Sequence, residues 1–417
     1  MKKLGFVIPW YGEKIPGGAE MELRGLVHHL LDAGVELEVL TTCVREFTSD
    51  WNENYHRPGL TTEAGVPVRR FKVRRRNAQA FDSVNIKLMQ GVMLTRDEEQ
   101  TFIHEMVNSD DLYTYMREHE QEYALFVFIP YMFGTTWYGS QICPEKSVLI
   151  PCFHDEAYIY MRIFREVYSK VAGIVYNAQP EYDLMQPVYN LVHTHQKVIG
   201  VGMNTDITFN QDRFKEKYHI DGPFIVYAGR KDKGKNIYTL IHYFEKYKER
   251  MKNDMKLVLI GGGKVDIPDS IKEDVFDLGF VDAQDKYDIT AAATLLCQPS
   301  KNESFSIVIM ESWLCHRPVL VHEQCEVTRH FVTDCNGGLY FGTYPEFEGC
   351  VNYILEHPEA ARQMGDNGCR YVKENFDWDV VIKKYMDFFG DVLAGGKKLT
   401  QNKEYVITQP PKLLQKN

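Results

Sequence analysis

Residues 293–314 read ATLLCQPSKNESFSIVIMESWL. An apolar run of strand length stops at Pro299-Ser300, KNESF forms a polar loop, and from Ser306 apolar residues crowd at helical density. A strand that feeds a helix through a short loop is half of a βαβ crossover, the unit of parallel sheets. One residue stands out: Glu311 places a carboxylate inside the oily IVIMESWL.

The same grammar extends both ways. FIVYAGR (224–230), MKLVLIGGG (255–263), DVFDLGFV (274–281) and RPVLVHE (317–323) are further strands, with a helix expected near 236–250. Upstream, KLGFVIP is followed by YGEKIPGGAE and a helix with Leu23, Leu26, Val27, Leu30 and Leu31 on one face. VELEVLTT follows, then ALFVFIP (124–130), SVLIPC (147–152), AGIVYN (172–177) and HQKVIGVG (195–202). The last four have strand length and are bounded by Pro, Gly or Asn, as buried parallel strands should be. The fold class is therefore α/β, with two successive doubly wound units meeting near 202–222. Residues 45–122 are long for one crossover, and NIKLMQGVML and EEQTFIHEMV read as helices inserted there. Boundaries are expected at 1–205, 206–375, a last helix at 376–395, and a polar tail at 396–417.

Composition narrows the class. A chain of 417 residues that is 44% hydrophobic and 25% charged has the make-up of a folded globular protein of two domains. A net charge of −10 argues against nucleic acid as a partner. The nine cysteines show no CxxC or paired spacing, which fits reduced thiols and a cytoplasmic setting better than disulfides or zinc. There is no apolar run long enough to span a membrane. The basic run RRFKVRRR puts Arg69, Arg70, Lys72, Arg74, Arg75 and Arg76 within eight positions. It reads either as a solvated strand edge or as a patch for anionic lipid head groups or a phosphate-bearing acceptor, with peripheral contact to the inner membrane face.

The chemistry concentrates at strand ends. Ser306 is expected to cap the helix that follows, leaving the amides of Ile307 and Val308 open to an anion such as a phosphate. Glu311 would lie about 7 Å further along the axis, a reach suited to the ribose of a nucleotide. Glu303, before the helix, would face the transferred group. The plainer alternatives are a core pair between Glu311 and Arg317, and a solvated Glu303. Arg230 and Lys235, in GRKDKGKN after the strand at 224, supply fixed cations for a diphosphate leaving group, and no acidic DxD-type metal pair stands in a matching place. GGG at 261–263 lacks the spacing of a dinucleotide fingerprint. Gly17 and Gly18 permit close backbone approach to a ligand, and His154 sits just past a strand end.

In order along the chain, Gly17-Gly18-Ala19-Glu20, His154, Gly229-Arg230 with Asp232, Lys235 and Asn236, Leu278-Gly279-Phe280-Val281, and Pro299-Ser300 with Glu303 and Glu311 resemble the motifs of glycosyltransferase family 4. Its members are retaining enzymes of the GT-B fold, two facing Rossmann-like domains with a cleft between them. The resemblance implies an acceptor-side first domain, a nucleotide-sugar-binding second domain and a last helix crossing back to the first. It implies Arg230 and Lys235 on the diphosphate, helped by amides near Ser304, Phe305, Ser306 and Ile307. Glu311 would take the ribose, Glu303 the donor sugar hydroxyls, and His154 the donor sugar. Gly18, with Gly17 before it, would lie near the phosphates, and Gly279, Phe280 and Val281 would line the base pocket. The catalytic set would be His154, Arg230, Lys235 and Glu303. No metal or other cofactor is expected, the acceptor would be a glycan or a lipid-linked intermediate, and the process would be cell-surface polysaccharide or glycoconjugate synthesis. The alternatives are a sugar-nucleotide epimerase or phosphorylase of the same fold, and a non-catalytic nucleotide-sugar or glycan-binding subunit. ESFS replaces the common EGFG, so serines 304 and 306 stand where glycines are usual; ESWLCHRPV likewise places Trp313, His316 and Arg317 where smaller residues are usual.

Overall fold

The computed structural model of the chain describes residues 2–395; the tail expected at 396–417 lies outside them. The described residues form two compact units, 2–202 with 381–395, and Met203–Val380.

The first unit holds strands β1 (Lys3–Ile8), β2 (Leu37–Thr42), β3 (Gly59–Glu63), β4 (Val66–Phe71), β5 (Tyr123–Phe128), β6 (Ser147–Leu149), β7 (Gly173–Tyr176) and β8 (His195–Val198). They lie in the order β3-β4-β2-β1-β5-β6-β7-β8. All neighbours are parallel except the β3–β4 hairpin. β1 is central, with Phe6 opposite Val39 on one side and Val127 on the other. Its last five residues are buried, as the uninterrupted apolar run requires. β4 contradicts the strand-edge reading of the basic run, because it pairs with β2 and β3 on both sides. The edge is β3, whose Gly59–Thr62 segment is exposed and carries no apolar run. The 45–122 insertion contains this hairpin and three helices, Ala78–Met89, Arg96–Glu105 and Asp110–His119. The helix starting at Arg96 carries a full capping box between Thr95 and Glu98.

The second unit holds β9 (Phe224–Ala228), β10 (Lys256–Ile260), β11 (Val275–Gly279), β12 (Leu295–Gln298), β13 (Val319–His322) and β14 (Gly338–Phe341), all parallel, in the order β11-β10-β9-β12-β13-β14. This is the Rossmann order, with its switch of direction between β9 and β12. The helix Ile237–Met251 follows β9 and buries Ile237, Leu240, Ile241, Phe244 and Tyr247 as one stripe against the sheet. The GGG loop serves packing: Gly261 has φ +117, and a β-carbon there would sit 2.1 Å from Gly229 O.

Candidate functional site

In an open parallel sheet a ligand binds outside the carboxyl ends of the strands where their order reverses. In the second unit that place lies between the loops that leave β9 and β12. After β9 the chain turns through Lys233–Lys235, a turn capped by Asp232, whose carboxylate accepts from Lys235 N at 3.0 Å. Asn236 takes a left-handed φ of 55°, and its amide donates to Pro299 O at 2.9 Å. This bond ties the two loops together. Across them Lys235 Nζ lies 2.7 Å from Glu303 Oε1, the side chains being 25% and 10% exposed. Two residues expected to act on different parts of a donor are thus ion-paired. Arg230 is exposed, with Nε 3.5 Å from Asp232 Oδ2.

The helix after KNESF runs from Ile307 to Leu314, but Ser306 does not cap it as expected. Ser306 sits at φ 73°, ψ 73°, in the left-handed region, and its buried Oγ has no hydrogen-bond partner. The backbone there needs the conformation a glycine adopts without strain. Phe305 is also not a ligand-facing side chain: it is buried against Phe331 and Phe376, with ring centroids 5.3 and 4.9 Å apart. Ser304 and Ile307 are half-buried beside it.

Glu311 is buried, and its partner is Lys286, from the helix Ala283–Ala292, not Arg317. Arg317 donates from Nε to Ala291 O at 2.7 Å. The buried Glu311 charge adds to the effect of burial on Tyr287, whose phenol is pushed up to about 12. Lys286 belongs to none of the sequence motifs; its only sign in the sequence is a carboxylate, Glu311, set in an apolar helix and in need of a cation. On the far side of the sheet Gly279 has φ 65°, Phe280 is 80% exposed and Val281 is half-buried.

In the first unit Gly17 has φ 142°, a backbone conformation that side-chain-bearing residues rarely adopt, so glycine is favoured there. Gly18 opens the helix Gly18–Asp32 with open space around it. His154 stands past the end of β6, Nδ1 3.3 Å from Cys152 O and Nε2 3.3 Å from Glu156 Oε2. A cleft of about 500 Å³ is lined by Gly12–Ile15, Arg45, Glu46, Tyr55, His56, Glu63 and Ala64. The Arg45 guanidinium lies over the Tyr55 ring at 5.4 Å.

Four of the six cations of the basic run have partners inside the unit. Arg69 Nε bonds Glu38 Oε1 at 2.5 Å, Arg70 Nη2 bonds Glu63 Oε1 at 2.7 Å, Arg74 Nη1 bonds Asp110 Oδ1 at 3.1 Å, and Arg76 Nη1 donates to Glu105 O at 2.9 Å. Arg70 is buried, and of the six only Lys72 and Arg75 are exposed. Among the described residues no helix is long and apolar enough to cross a membrane. Nor is there any group of three or more His, Cys, Asp or Glu that would hold a metal ion.

A six-stranded parallel sheet and an eight-stranded sheet that is parallel but for its β3–β4 hairpin are the two Rossmann-like domains of the GT-B fold, and the Lys235–Glu303 pair at the switch point of the second is a candidate anion site. Residues 208–370, which lie within the second unit, match the family model described as Glycosyl transferases group 1. Trehalose synthase of Thermococcus litoralis is 26% identical over 195 residues, 43% of this chain and 46% of that protein. D-inositol 3-phosphate glycosyltransferase of Salinispora tropica is 29% identical over 156 residues, 34% of this chain and 32% of that protein. The chain thus spans less than half the length of these curated relatives. Among solved structures, sucrose-phosphate synthase of Thermosynechococcus elongatus aligns with TM-score 0.68 at 16% identity, covering 95% of this chain and all of that one. HepE of Anabaena in complex with UDP and glucose aligns with TM-score 0.66 at 17% identity, covering 94% and 100%.

Proposed function

We propose that the protein is a retaining glycosyltransferase that moves a sugar from a nucleotide-diphosphate sugar to a hydroxyl of a glycan or lipid-linked acceptor, in cell-surface polysaccharide or glycoconjugate synthesis. The observation that carries this is the Lys235–Glu303 pair at the β9/β12 switch point, 2.7 Å apart. Lys235 and the exposed Arg230 neutralise the diphosphate as it leaves, a role that fixed cations fill without a metal. Glu303 accepts from donor sugar hydroxyls, Glu311 from the ribose, and the backbone around Ser306 and Ile307 donates to phosphate. Gly279, Phe280 and Val281 line the base, and Gly17, Gly18 and His154 are the first-unit residues assigned to the donor. HepE, the relative in fold, carries UDP and glucose, which makes UDP-glucose the first donor to try.

Transfer proceeds on one face of the sugar, with a leaving phosphate oxygen taking the acceptor's proton, so no side-chain nucleophile is assigned. The first-unit cleft is the place for the acceptor. Tyr55 offers an aromatic face to a sugar ring, and Glu13, Glu46 and Glu63 offer acceptors to its hydroxyls. The setting is cytoplasmic, and Lys72 and Arg75 are the cations left for contact with an anionic membrane face.

The test is to incubate the protein with UDP-glucose and a panel of simple glycosides, follow UDP release, and read the product's anomeric configuration by proton NMR. An α-linked product from the α-linked donor is expected. A β-linked product excludes the retaining mechanism, and no UDP release from any nucleotide sugar excludes the transferase.

A further inference from the structure

Beneath the first unit's strand ends lies a second pair of carboxyls that no motif includes. Glu22 belongs to the helix that opens at Gly18, one turn in, and Glu181 to the helix Gln179–Met185; both are almost wholly buried. Glu181 accepts with each oxygen from a backbone amide, Phe153 N to Oε1 and Asn177 N to Oε2, both at 2.6 Å. Those amides follow β6 and β7, so one side chain grips two strand-end loops. Glu22 Oε2 accepts from Asn177 Nδ2 at 2.9 Å and faces the Cys152 thiol at 3.7 Å. Its other oxygen, Oε1, has no partner, and neither has Asn177 Oδ1 or Tyr385 Oη, all buried. None of the side chains bonded to either carboxyl is a lysine or arginine.

Two buried negative charges with no lysine or arginine bonded to them are costly, and one proton removes most of that cost. The hydrogen bonds say where it goes. A proton on either oxygen of Glu181 would face an N–H, whereas a proton on Glu22 Oε1 faces no donor and has Asn177 Oδ1 in its surroundings as an unused acceptor. We infer that Glu22 and Glu181 share a single proton held on Glu22 Oε1, and that this pair positions the Gly17–Gly18 turn and the His154 loop in one fixed arrangement. Glu22 and Glu181 are positioning residues, and the inference rests on the reading of Gly18 and His154 as donor-site residues. Cys152, held at φ +57° between them, marks the strain the knot maintains. Burial pushes both carboxyls up to about 8, against the smaller pull of the Asn177 and Cys152 bonds on Glu22 and of the two backbone amides on Glu181. The other titratable groups whose charge reaches the cluster are Glu20, Cys152, His154, Tyr176 and Tyr385.

Three readouts on the full chain test this. Infrared difference spectra at neutral pH should contain a protonated carboxylic acid band that disappears in Glu22→Gln; its absence from the wild type overturns the proton assignment without any variant having to fold. Glu22→Gln mimics the neutral acid and should keep the Phe153 and Asn177 amides protected from hydrogen exchange, while Glu181→Gln, which turns an NH₂ toward a backbone donor, should expose them. Equal protection in the two variants, or the reverse order, overturns the assignment. With UDP-glucose as probe, Glu181→Gln should lower UDP release roughly a hundredfold, as small misplacements of site groups do, and cost nothing more in a His154→Ala background. An equal further loss in that background would mean general damage rather than positioning. A His154→Ala protein of wild-type activity would remove the donor-site reading of His154 and with it the positioning role, while the band and the amides still decide where the proton sits.

Discussion

Glu303→Gln separates two roles that sequence alone assigns to neighbouring residues. In the protein as it stands, Glu303 Oε1 lies 2.7 Å from Lys235 Nζ, and the carboxylate is 10% exposed. A diphosphate bound at Lys235 would then stand about 5 Å from a second negative charge. With an effective dielectric near 40 for a half-open site, that repulsion is roughly 1.7 kcal/mol, and physiological salt trims it to about 1 kcal/mol. Glutamine keeps the shape and still accepts from Lys235, so the fold is retained. UDP should bind about fivefold more tightly to Glu303→Gln, while UDP release from UDP-glucose falls about 10²-fold because a group aimed at the sugar is lost. Lys235→Ala should move both quantities the same way, weakening UDP and lowering turnover by about 10²–10³. Calorimetry of UDP binding with the release assay reads the two together. Weaker UDP binding in Glu303→Gln, by as much as in Lys235→Ala, would refute the competition between carboxylate and diphosphate.

Ser306→Gly should stabilise the protein: a β-carbon at φ 73° costs about 1–2 kcal/mol, offset by about 0.5–1 kcal/mol of extra chain entropy for glycine, and a lowered melting temperature would contradict this. Glu311→Ala should weaken UDP about tenfold, the worth of one charge-assisted hydrogen bond, and leave pyrophosphate binding unchanged; equal losses would sink the ribose assignment. The raised Glu22 carboxyl makes the native protein hold a proton that the unfolded chain releases between its ordinary value of 4.5 and about 8. Stability should therefore fall as pH rises through that window, by at most about 1.4 kcal/mol per pH unit, and Glu22→Gln should flatten the slope in denaturant titrations. An unchanged slope would assign the effect elsewhere.

What was legible in the sequence was whatever burial on both faces dictates. The innermost strands β1, β5, β9, β10 and β12 are largely apolar runs, and their alternation with helices marks both units as parallel α/β sheets. β3 and β4 escaped because GLTTE lies on an exposed edge and VPVRRF interleaves arginines whose partners, Glu38 and Glu63, are set by tertiary pairing. In the candidate site the positions of Lys235, Glu303 and Glu311 were legible as strand-end chemistry, but the Lys235–Glu303 and Lys286–Glu311 pairs were not, since each joins separate loops or helices. Ser306 went the other way: its type suggested a side-chain cap, and the left-handed backbone overrode it. Glu22 carried a sign that went unused, a carboxylate on the same helical stripe as Leu26 and Leu30.

The central claim, that the β9/β12 switch point of the second unit takes the diphosphate of a nucleotide sugar, is tested most directly by thermal melting against UDP, GDP, ADP and dTDP, with and without magnesium, on wild type and Lys235→Ala. At a hundred times its dissociation constant a ligand adds about 2.7 kcal/mol. One diphosphate should raise the wild-type melting temperature independently of magnesium and leave Lys235→Ala nearly unmoved. No shift with any of the four, or an equal shift in Lys235→Ala, would contradict the account.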